Sequence, residues 1–385
     1  MKVLYLTLPC FADYMLSLTE AANRQGLDAT CILDLNSLSG TIVNISERNR
    51  KVGLLKADVY PELEVFSTKL LDGKFYVLNY NPRKIYVFQR IIKVCQLVRF
   101  IRSERFDVIH IDHLLHGLDK ILYIFRKKLV LTMHDPLQHS GMEFSKKTQK
   151  NIRQTFDIIP KIVIHNQSQV EEFCGFYGIK RQRVLLNPLA PYTCYKIYAK
   201  EGVSKNPHEI LFFGRISKYK GVEYLCKAMV QVHKLVPDAK LYILGGGNIY
   251  FDYEPYKDLS YIELINEYAS TEAIVERLQK CSFSVCPYID ATQSGVVMTC
   301  NALNVPVIAT NVGGLPEMIE DGKSGLIIPP KDEDALANAM ISLLQDRERL
   351  AGMSDYIKEM YSKGDKSPKE IIPKYKDFYQ KPCSM

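Results

Sequence analysis

The chain has no CxxC pair. Its ten cysteines, Cys10, Cys31, Cys95, Cys174, Cys194, Cys226, Cys281, Cys286, Cys300 and Cys383, are scattered through 385 residues, so neither a disulfide framework nor a zinc ribbon is indicated and a reducing cytosol fits best. Long apolar runs are missing as well. The opening MKVLYLTLPCFADYML is interrupted at Pro9 and Asp13, too early for a signal-peptide core or a membrane span. No stretch elsewhere reaches the roughly 18 apolar residues of a spanning helix. The expectation is a cytoplasmic chain, soluble or at most peripheral on the inner face of the cell membrane. There is no low-complexity tract and no short-period repeat. The glycines after LYIL lack the final glycine and the downstream acid of a GxGxxG fingerprint, which argues against a standard dehydrogenase.

What is present is an ample core. With 47% hydrophobic and 24% charged residues over 385 positions, the chain exceeds one ordinary domain, and two are expected. Net charge is +7, unevenly placed. Residues 1–195 hold 27 Lys and Arg against 18 Asp and Glu, an excess of +9, which leaves −2 for the remainder.

KVLYLTL, then an amphipathic stretch over about Tyr14–Gln25, then Gly26, reads as strand, helix and glycine stop. DVIHI follows a long helical pattern from about Arg83 to Arg102, KLVLTMH follows another, and KIVIHN is again a β-rich run. Apolar runs of this length without alternation suit strands buried on both faces of a parallel sheet. After RVLLNPLAP the chain has few large apolar groups, and a linker is placed at 196–207. Alternation then resumes with EILFFGR, a helix near Tyr224–Leu235, AKLYILGGG, a helix near Thr271–Gln279, FSVCPY, PVIAT and SGLIIPP. The fold class is therefore α/β, with two Rossmann-like βα domains over 1–195 and 208–366. The closing SPKEIIPKYKDFYQ spaces Ile371, Ile372, Tyr375, Phe378 and Tyr379 as an amphipathic helix that needs a partner face.

Three segments carry candidate chemistry. In ILFFGRISKYKG, Gly214, Arg215, Lys218, Lys220 and Gly221 follow a strand; cations there suit a phosphate or diphosphate, the alternative being solvated loop charges. The glycines Gly245 and Gly246 of LYILGGGN allow a tight turn or a close approach to a ligand. In PYIDATQSGVVMT, the turn Gln293-Ser294-Gly295 precedes a helix whose first amides can hold an anion.

Taken together, GRISKYKG, LYILGGG, QSG and NVPVIATNVGGLPEMIEDGKSGLIIPP resemble the carboxy-terminal domain of retaining glycosyltransferases of the GT-B fold, the family 4 group that uses nucleotide-activated sugars. DVIHIDH, LTMHDP and IHNQSQVEEF match the amino-terminal half more loosely. The resemblance implies two Rossmann-like domains facing each other across a cleft, with the first binding the acceptor and the second the donor. The helix of 367–385 would cross back to complete the first domain. It further implies Arg215 and Lys220 as the pair that neutralises the donor diphosphate and stabilises charge on the departing nucleotide. His134 matches the histidine near the sugar hydroxyls and reaction centre, with Asp135 either orienting it or capping the next segment; read alone, the alternative is a loop histidine bonded to backbone. No metal or cofactor is implied beyond the donor, a UDP- or GDP-linked sugar. The spacing of His110, His113 and His116 does not share one helical face and argues against a metal site. Asp332-Glu333-Asp334 is expected to start a helix.

This chain departs from the family in two places. The usual pair of glutamates eight residues apart is absent: Ala291 and Thr299 occupy those positions, with Asp290 adjacent to the first and Thr299 where ribose hydroxyls are normally held. Pro9-Cys10-Phe11-Ala12 stands where glycines commonly admit the diphosphate, with Asp13 placed to face the cleft. The expected activity is retaining, metal-independent transfer of a hexose-type sugar to a glycan or lipid-linked acceptor in polysaccharide or glycolipid biosynthesis. The alternatives are a nucleotide-sugar epimerase of the same fold, or a non-catalytic partner subunit. Basic clusters at Arg83, Lys84, Arg90, Lys93, Arg99 and Arg102, at 126–128, and at Lys146, Lys147, Lys150 and Arg153 suit either an anionic membrane or solvated helix faces. Nucleic acid is not expected, since no binding module is present.

Overall fold

The computed structural model describes residues 1–35, 42–46, 49–80, 87–137 and 146–382. The chain divides into two units, Met1–Ala190 with Lys366–Met385, and Pro191–Asp365.

In the first unit, Lys2–Thr7 (β1) leads into the helix Ala12–Arg24 (α1), followed by Asp28–Asp34 (β2), Gly53–Lys56 (β3), Phe75–Asn79 (β4) and the helix Val87–Glu104 (α2). Then come Val108–Ile111 (β5), Leu129–Thr132 (β6), Lys146–Ile158 (α3), Lys161–Ile164 (β7), Gln167–Tyr177 (α4) and Val184–Leu186 (β8). The strands form one sheet in the order β3-β4-β2-β1-β5-β6-β7-β8. Among the described residues only the edge pair β3–β4 is antiparallel. Every residue of β5, β6 and β7 is buried, because parallel strands are covered by helices on both faces. Strand order reverses at β1, so ligands are expected at the carboxyl ends of β1 and β5.

The second unit runs Glu209–Phe213 (β9), Val222–Leu235 (α5), Lys240–Leu244 (β10), Ile262–Ile265 (β11), Thr271–Lys280 (α6), Phe283–Cys286 (β12) and Gly295–Ala302 (α7). It continues through Val307–Thr310 (β13), Leu315–Met318 (α8), Gly325–Ile328 (β14), Glu333–Gln345 (α9) and Arg347–Ser362 (α10). Its sheet, β11-β10-β9-β12-β13-β14, is parallel throughout. The reversal here falls at β9 and β12. Asp332 caps α9 by accepting from the Ala335 amide at 2.8 Å, so the acidic triplet starts a helix as its sequence suggests.

Three expectations change. First, the boundary lies at Ala190, not Tyr195, and the segment 196–207 is part of the second unit rather than a linker. Its few large apolar groups hid how it is held: Lys200 pairs its amide and carbonyl with the Gln279 side chain at 3.0 and 2.6 Å, and the Asn206 amide donates to Lys280 O at 2.7 Å. Second, the helical pattern ahead of β6 is a 3₁₀ segment over 117–128, kinked at Phe125. Third, the described part of α2 begins at Val87; Arg83 and Lys84 lie outside the described residues, as do Cys383 and the side chains of Lys146 and Lys147.

The last helix, Pro368–Gln380 (α11), belongs to the first unit and buries Ile371, Ile372, Tyr375, Phe378 and Tyr379, the five apolar positions its sequence spacing set out. Pro368 occupies the first turn, where a missing N–H costs nothing, and Pro373 falls on the exposed side. Polar ties fix the helix in place. Tyr375 Oη lies 3.0 Å from Tyr14 Oη, Lys161 Nζ donates to Tyr379 O at 2.6 Å, and Asn187 Nδ2 donates to Ile371 O at 3.1 Å.

Candidate active site

In the second unit the loops after β9, β10 and β12 lie backbone against backbone. Gly214 N donates to Leu244 O at 2.9 Å and Ile216 N to Gly246 O at 3.1 Å. A Cβ on Gly245 would stand 2.0 Å from Gly214 O, so glycine there is required by the neighbouring strand end, whatever binds above it. Gly221, at φ +65°, comes equally close to β12: a Cβ would lie 1.9 Å from Pro287 O. That approach, with Ile289 N donating to Tyr219 O at 2.7 Å, sets the turn Lys218–Lys220 over the buried Tyr288.

The outcome is an unusual lysine. Lys220 Nζ stands 3.6 Å from the centroid of the Tyr288 ring and 5.1 Å from that of Tyr219, a cation–π arrangement. Burial pulls its pKa down to about 8 and the Arg215 cation pushes the same way, while the Cys286 thiol opposes. Among the described residues no carboxylate pairs with Lys220 or Arg215. Two cations without a counter-charge at the carboxyl end of β9 can take a dianionic phosphate ester.

Beyond β12, Ser294 caps α7, its Oγ accepting from Val297 N at 3.4 Å, which leaves the helix's first amides, of Gly295 and Val296, for an anion. Gln293 and Asp290 are half-buried, and Gly295 packs against the Tyr192 ring. Thr299 departs from its expected role. It is 2% exposed and its Oγ1 donates to Gly295 O at 2.9 Å, a bond back into its own helix, so its hydroxyl is not presented to a ribose.

In the first unit, three histidines converge at the ends of neighbouring strands. His110 is in β5, His134 follows β6 and His165 follows β7; all are buried. His134 stacks on Phe11 and meets Tyr14 edge-on, with ring centroids 4.1 and 5.0 Å away, and His165 stands 5.9 Å beyond. Burial, then His165, pulls the pKa of His134 to about 3, with Asp135 opposing. Burial takes His110 to about 3 and His165 to about 4. All three are therefore neutral imidazoles at pH 7. His165 was not singled out from sequence, and Phe11 only as part of the stretch that replaces the glycines; the signal for His165 was present in IVIH, which ends a parallel strand adjacent to the one ending in TMH.

The three histidines weighed as metal ligands turn to separate partners. His110 Nδ1 bonds Tyr379 Oη at 2.6 Å and its Nε2 bonds Thr132 Oγ1 at 2.7 Å. His113 Nδ1 pairs with Asp112 at 2.9 Å and His116 Nδ1 with Asn151 at 3.2 Å. Among the described residues no group of three or more metal-binding side chains is gathered.

Residues 207–346 match the family model described as Glycosyl transferases group 1. The chain is 23% identical over 269 residues to a D-inositol 3-phosphate glycosyltransferase of Paenarthrobacter aurescens, covering 63% of this chain and 65% of that protein. It is 30% identical over 148 residues to the alpha-D-kanosaminyltransferase of Streptomyces kanamyceticus, covering 37% and 38%. The match thus spans less than two thirds of these relatives' length. Among solved structures, Anabaena Alr3699/HepE in complex with UDP and glucose superposes with a TM-score of 0.66 at 16% identity over 98% of both chains. The catalytic domain of starch synthase IV from Arabidopsis thaliana, bound to ADP and acarbose, gives 0.67 at 11% identity over 100% of both.

Proposed function

We propose that this chain, which has the GT-B fold and carries a group 1 glycosyl transferase region in its second unit, transfers a hexose-type sugar, with retention, from a nucleoside diphosphate sugar to a glycan or lipid-linked acceptor. The observation that carries the reading is the pair Arg215 and Lys220, two cations at a parallel strand end with no carboxylate partner among the described residues. A diphosphate supplies the missing charge. As the anomeric C–O bond to the diphosphate breaks, negative charge grows on the departing phosphate, and fixed cations stabilise that state more than the ground state. The acceptor oxygen forms the new bond to the anomeric carbon, and its proton passes to the departing phosphate, so no protein base is called for.

In this scheme the amides at the start of α7 assist the diphosphate, and Asp290 and Gln293 meet the nucleoside or sugar in place of the missing glutamate pair. Neutral His134 hydrogen-bonds a sugar hydroxyl. The structurally similar proteins solved with UDP, UDP-glucose or ADP support a donor of this class.

The test is a thermal-shift panel of UDP, GDP, ADP and their sugar conjugates, followed by product analysis with the conjugate that binds. A selective rise in melting temperature is expected, together with sugar transfer that falls by roughly a hundredfold or more in Arg215→Ala and Lys220→Ala. Unchanged turnover in both variants would remove the site assignment. Ala291 and the inward Thr299 favour a second reading, a non-catalytic subunit. Absence of any nucleotide shift in the folded protein would select it.

A further inference from the structure

The outer face of α2 is apolar where solvent would ordinarily meet polar groups. The helix turns Lys93, Leu97 and Ile101 inward at four-residue spacing, and so sends Phe88, Ile91 and Ile92 outward, 81%, 45% and 53% exposed. The 3₁₀ segment Gly117–Lys128 repeats the pattern with its own period. Residues three apart stand above one another in such a helix, and Leu118, Ile121 and Ile124 form an outward row, 40%, 43% and 50% exposed. The two elements adjoin: Asp119 Oδ1 lies 3.4 Å from Lys93 Nζ, and the Arg90 guanidinium lies 3.5 Å from where a Cβ on Gly117 would stand.

Charge identifies what covers this surface. Apart from the buried Lys93, which Asp34 holds at 2.7 Å, residues 87–105 and 117–128 carry eight Lys and Arg against Glu104 and Asp119, an excess of six. Both acids are already engaged, Asp119 with Lys93 and Glu104 with Lys2. A second copy would set six positive charges against six. Nucleic acid would answer the charge and leave the isoleucines unburied. An anionic bilayer answers both, phosphates for the cations and the headgroup–acyl boundary for the aliphatic rows.

We propose that the outer face of α2 and the 117–128 segment docks the first unit on an anionic lipid surface, with Phe88, Ile92 and Ile124 among the entering side chains and Arg99, Arg126 and Lys127 meeting lipid phosphates. The proposal is independent of the sugar-transfer reading, because it is read by lipid binding alone. The full chain is sedimented with phosphatidylcholine vesicles with and without phosphatidylglycerol, at low and high salt. Binding is expected only to the anionic vesicles and is expected to fall at high salt. Each cation near such a surface contributes roughly fivefold in partitioning, so Arg99→Ala/Arg126→Ala loses about tenfold or more, and Ile92→Ser/Ile124→Ser a similar factor. Circular dichroism and melting temperature stay unchanged in both, since the side chains are exposed. No binding to anionic vesicles at low salt overturns the proposal, as does wild-type partitioning in both double variants. A dimer in light scattering that Ile92→Ser/Ile124→Ser dissolves would assign the face to a second copy, and would overturn it too.

Discussion

Phe11 lies flat against His134, ring centroids 4.1 Å apart and planes 13° from parallel. Phe11 belongs to the short turn after β1, in the Pro9-Cys10-Phe11-Ala12 stretch that replaces the glycines common in the resembling family. The replacement therefore has a structural use: it completes an aromatic wall around an imidazole that burial holds neutral, with a pKa of about 3. A neutral imidazole keeps one donor and one acceptor, the form that suits a hydroxyl ligand.

Phe11→Ala removes one side of that wall and admits water. The pKa of His134 should move up toward the ordinary histidine value, and turnover should fall by about tenfold as the ring loses its fixed orientation. Ring-proton NMR titration of the variant measures the first effect, and steady-state kinetics the second. A His134 titration identical to wild type would mean that the rest of the pocket, and not Phe11, excludes water.

Stability should depend on pH through the same cluster. The folded-state pKa values of His110, His134 and His165 are pulled to about 3, 3 and 4, below the ordinary value near 6.5. As pH falls through 6.5 the unfolded chain takes up protons that the folded chain refuses, so stability is lost, by roughly 1.4 kcal/mol per pH unit for each histidine. The loss ends once pH passes the folded values. Asp34 and Asp112, whose pKa values burial raises, act in the opposite sense. Urea unfolding between pH 7 and 5 should therefore show wild type losing more stability than His165→Asn, with the slopes differing by about one proton. Equal slopes would place His165 in water in the folded state.

Much of this architecture was legible before the structure, for one physical reason: strands buried on both faces leave uninterrupted apolar runs. DVIHI, KIVIHN and EILFF each became a parallel strand. The terminal helix was legible too, because its five apolar residues repeat at helical spacing. Edge elements were not, since β3 lies at the sheet edge with half-buried and exposed positions, and its short GLLK run carries no period. The helical pattern ahead of KLVLTMH does not separate a 3₁₀ segment from an α-helix, because both place i and i+3 on one side. Leu118, Ile121 and Ile124 do not decide between a period of three and one of 3.6. The histidine cluster was visible only as separate motifs. The strand order β5-β6-β7 brings their ends to one edge, and no single stretch of sequence contains that order.

The hold of α11 on the first unit should rest on Tyr379. Its hydroxyl bonds His110 Nδ1 at 2.6 Å inside a region that excludes water, so Tyr379→Phe leaves a buried ring nitrogen unpaired at a cost of about 1–3 kcal/mol. The exposed Lys374→Ala in the same helix should cost almost nothing. Urea unfolding of the two variants gives the comparison, and equal midpoints would show that packing alone fastens the helix.

Lys220 supplies the sharpest pH test of the proposed donor site. Burial and the neighbouring Arg215 hold its pKa at about 8, so the free protein begins to lose this cation just above neutrality. A bound diphosphate favours the charged form and raises that value, so binding and protonation are linked. Nucleotide affinity should be flat below pH 8 and weaken by up to tenfold per pH unit above it. Lys220→Met should bind more weakly at pH 7 and show no such fall, while Lys220→Arg should keep its charge and stay flat to higher pH. Calorimetric titration with the nucleoside diphosphate that gives the largest thermal shift makes the measurement. An affinity that declines identically in wild type and Lys220→Met would mean that another group governs the pH response, and that Lys220 does not contact the phosphates.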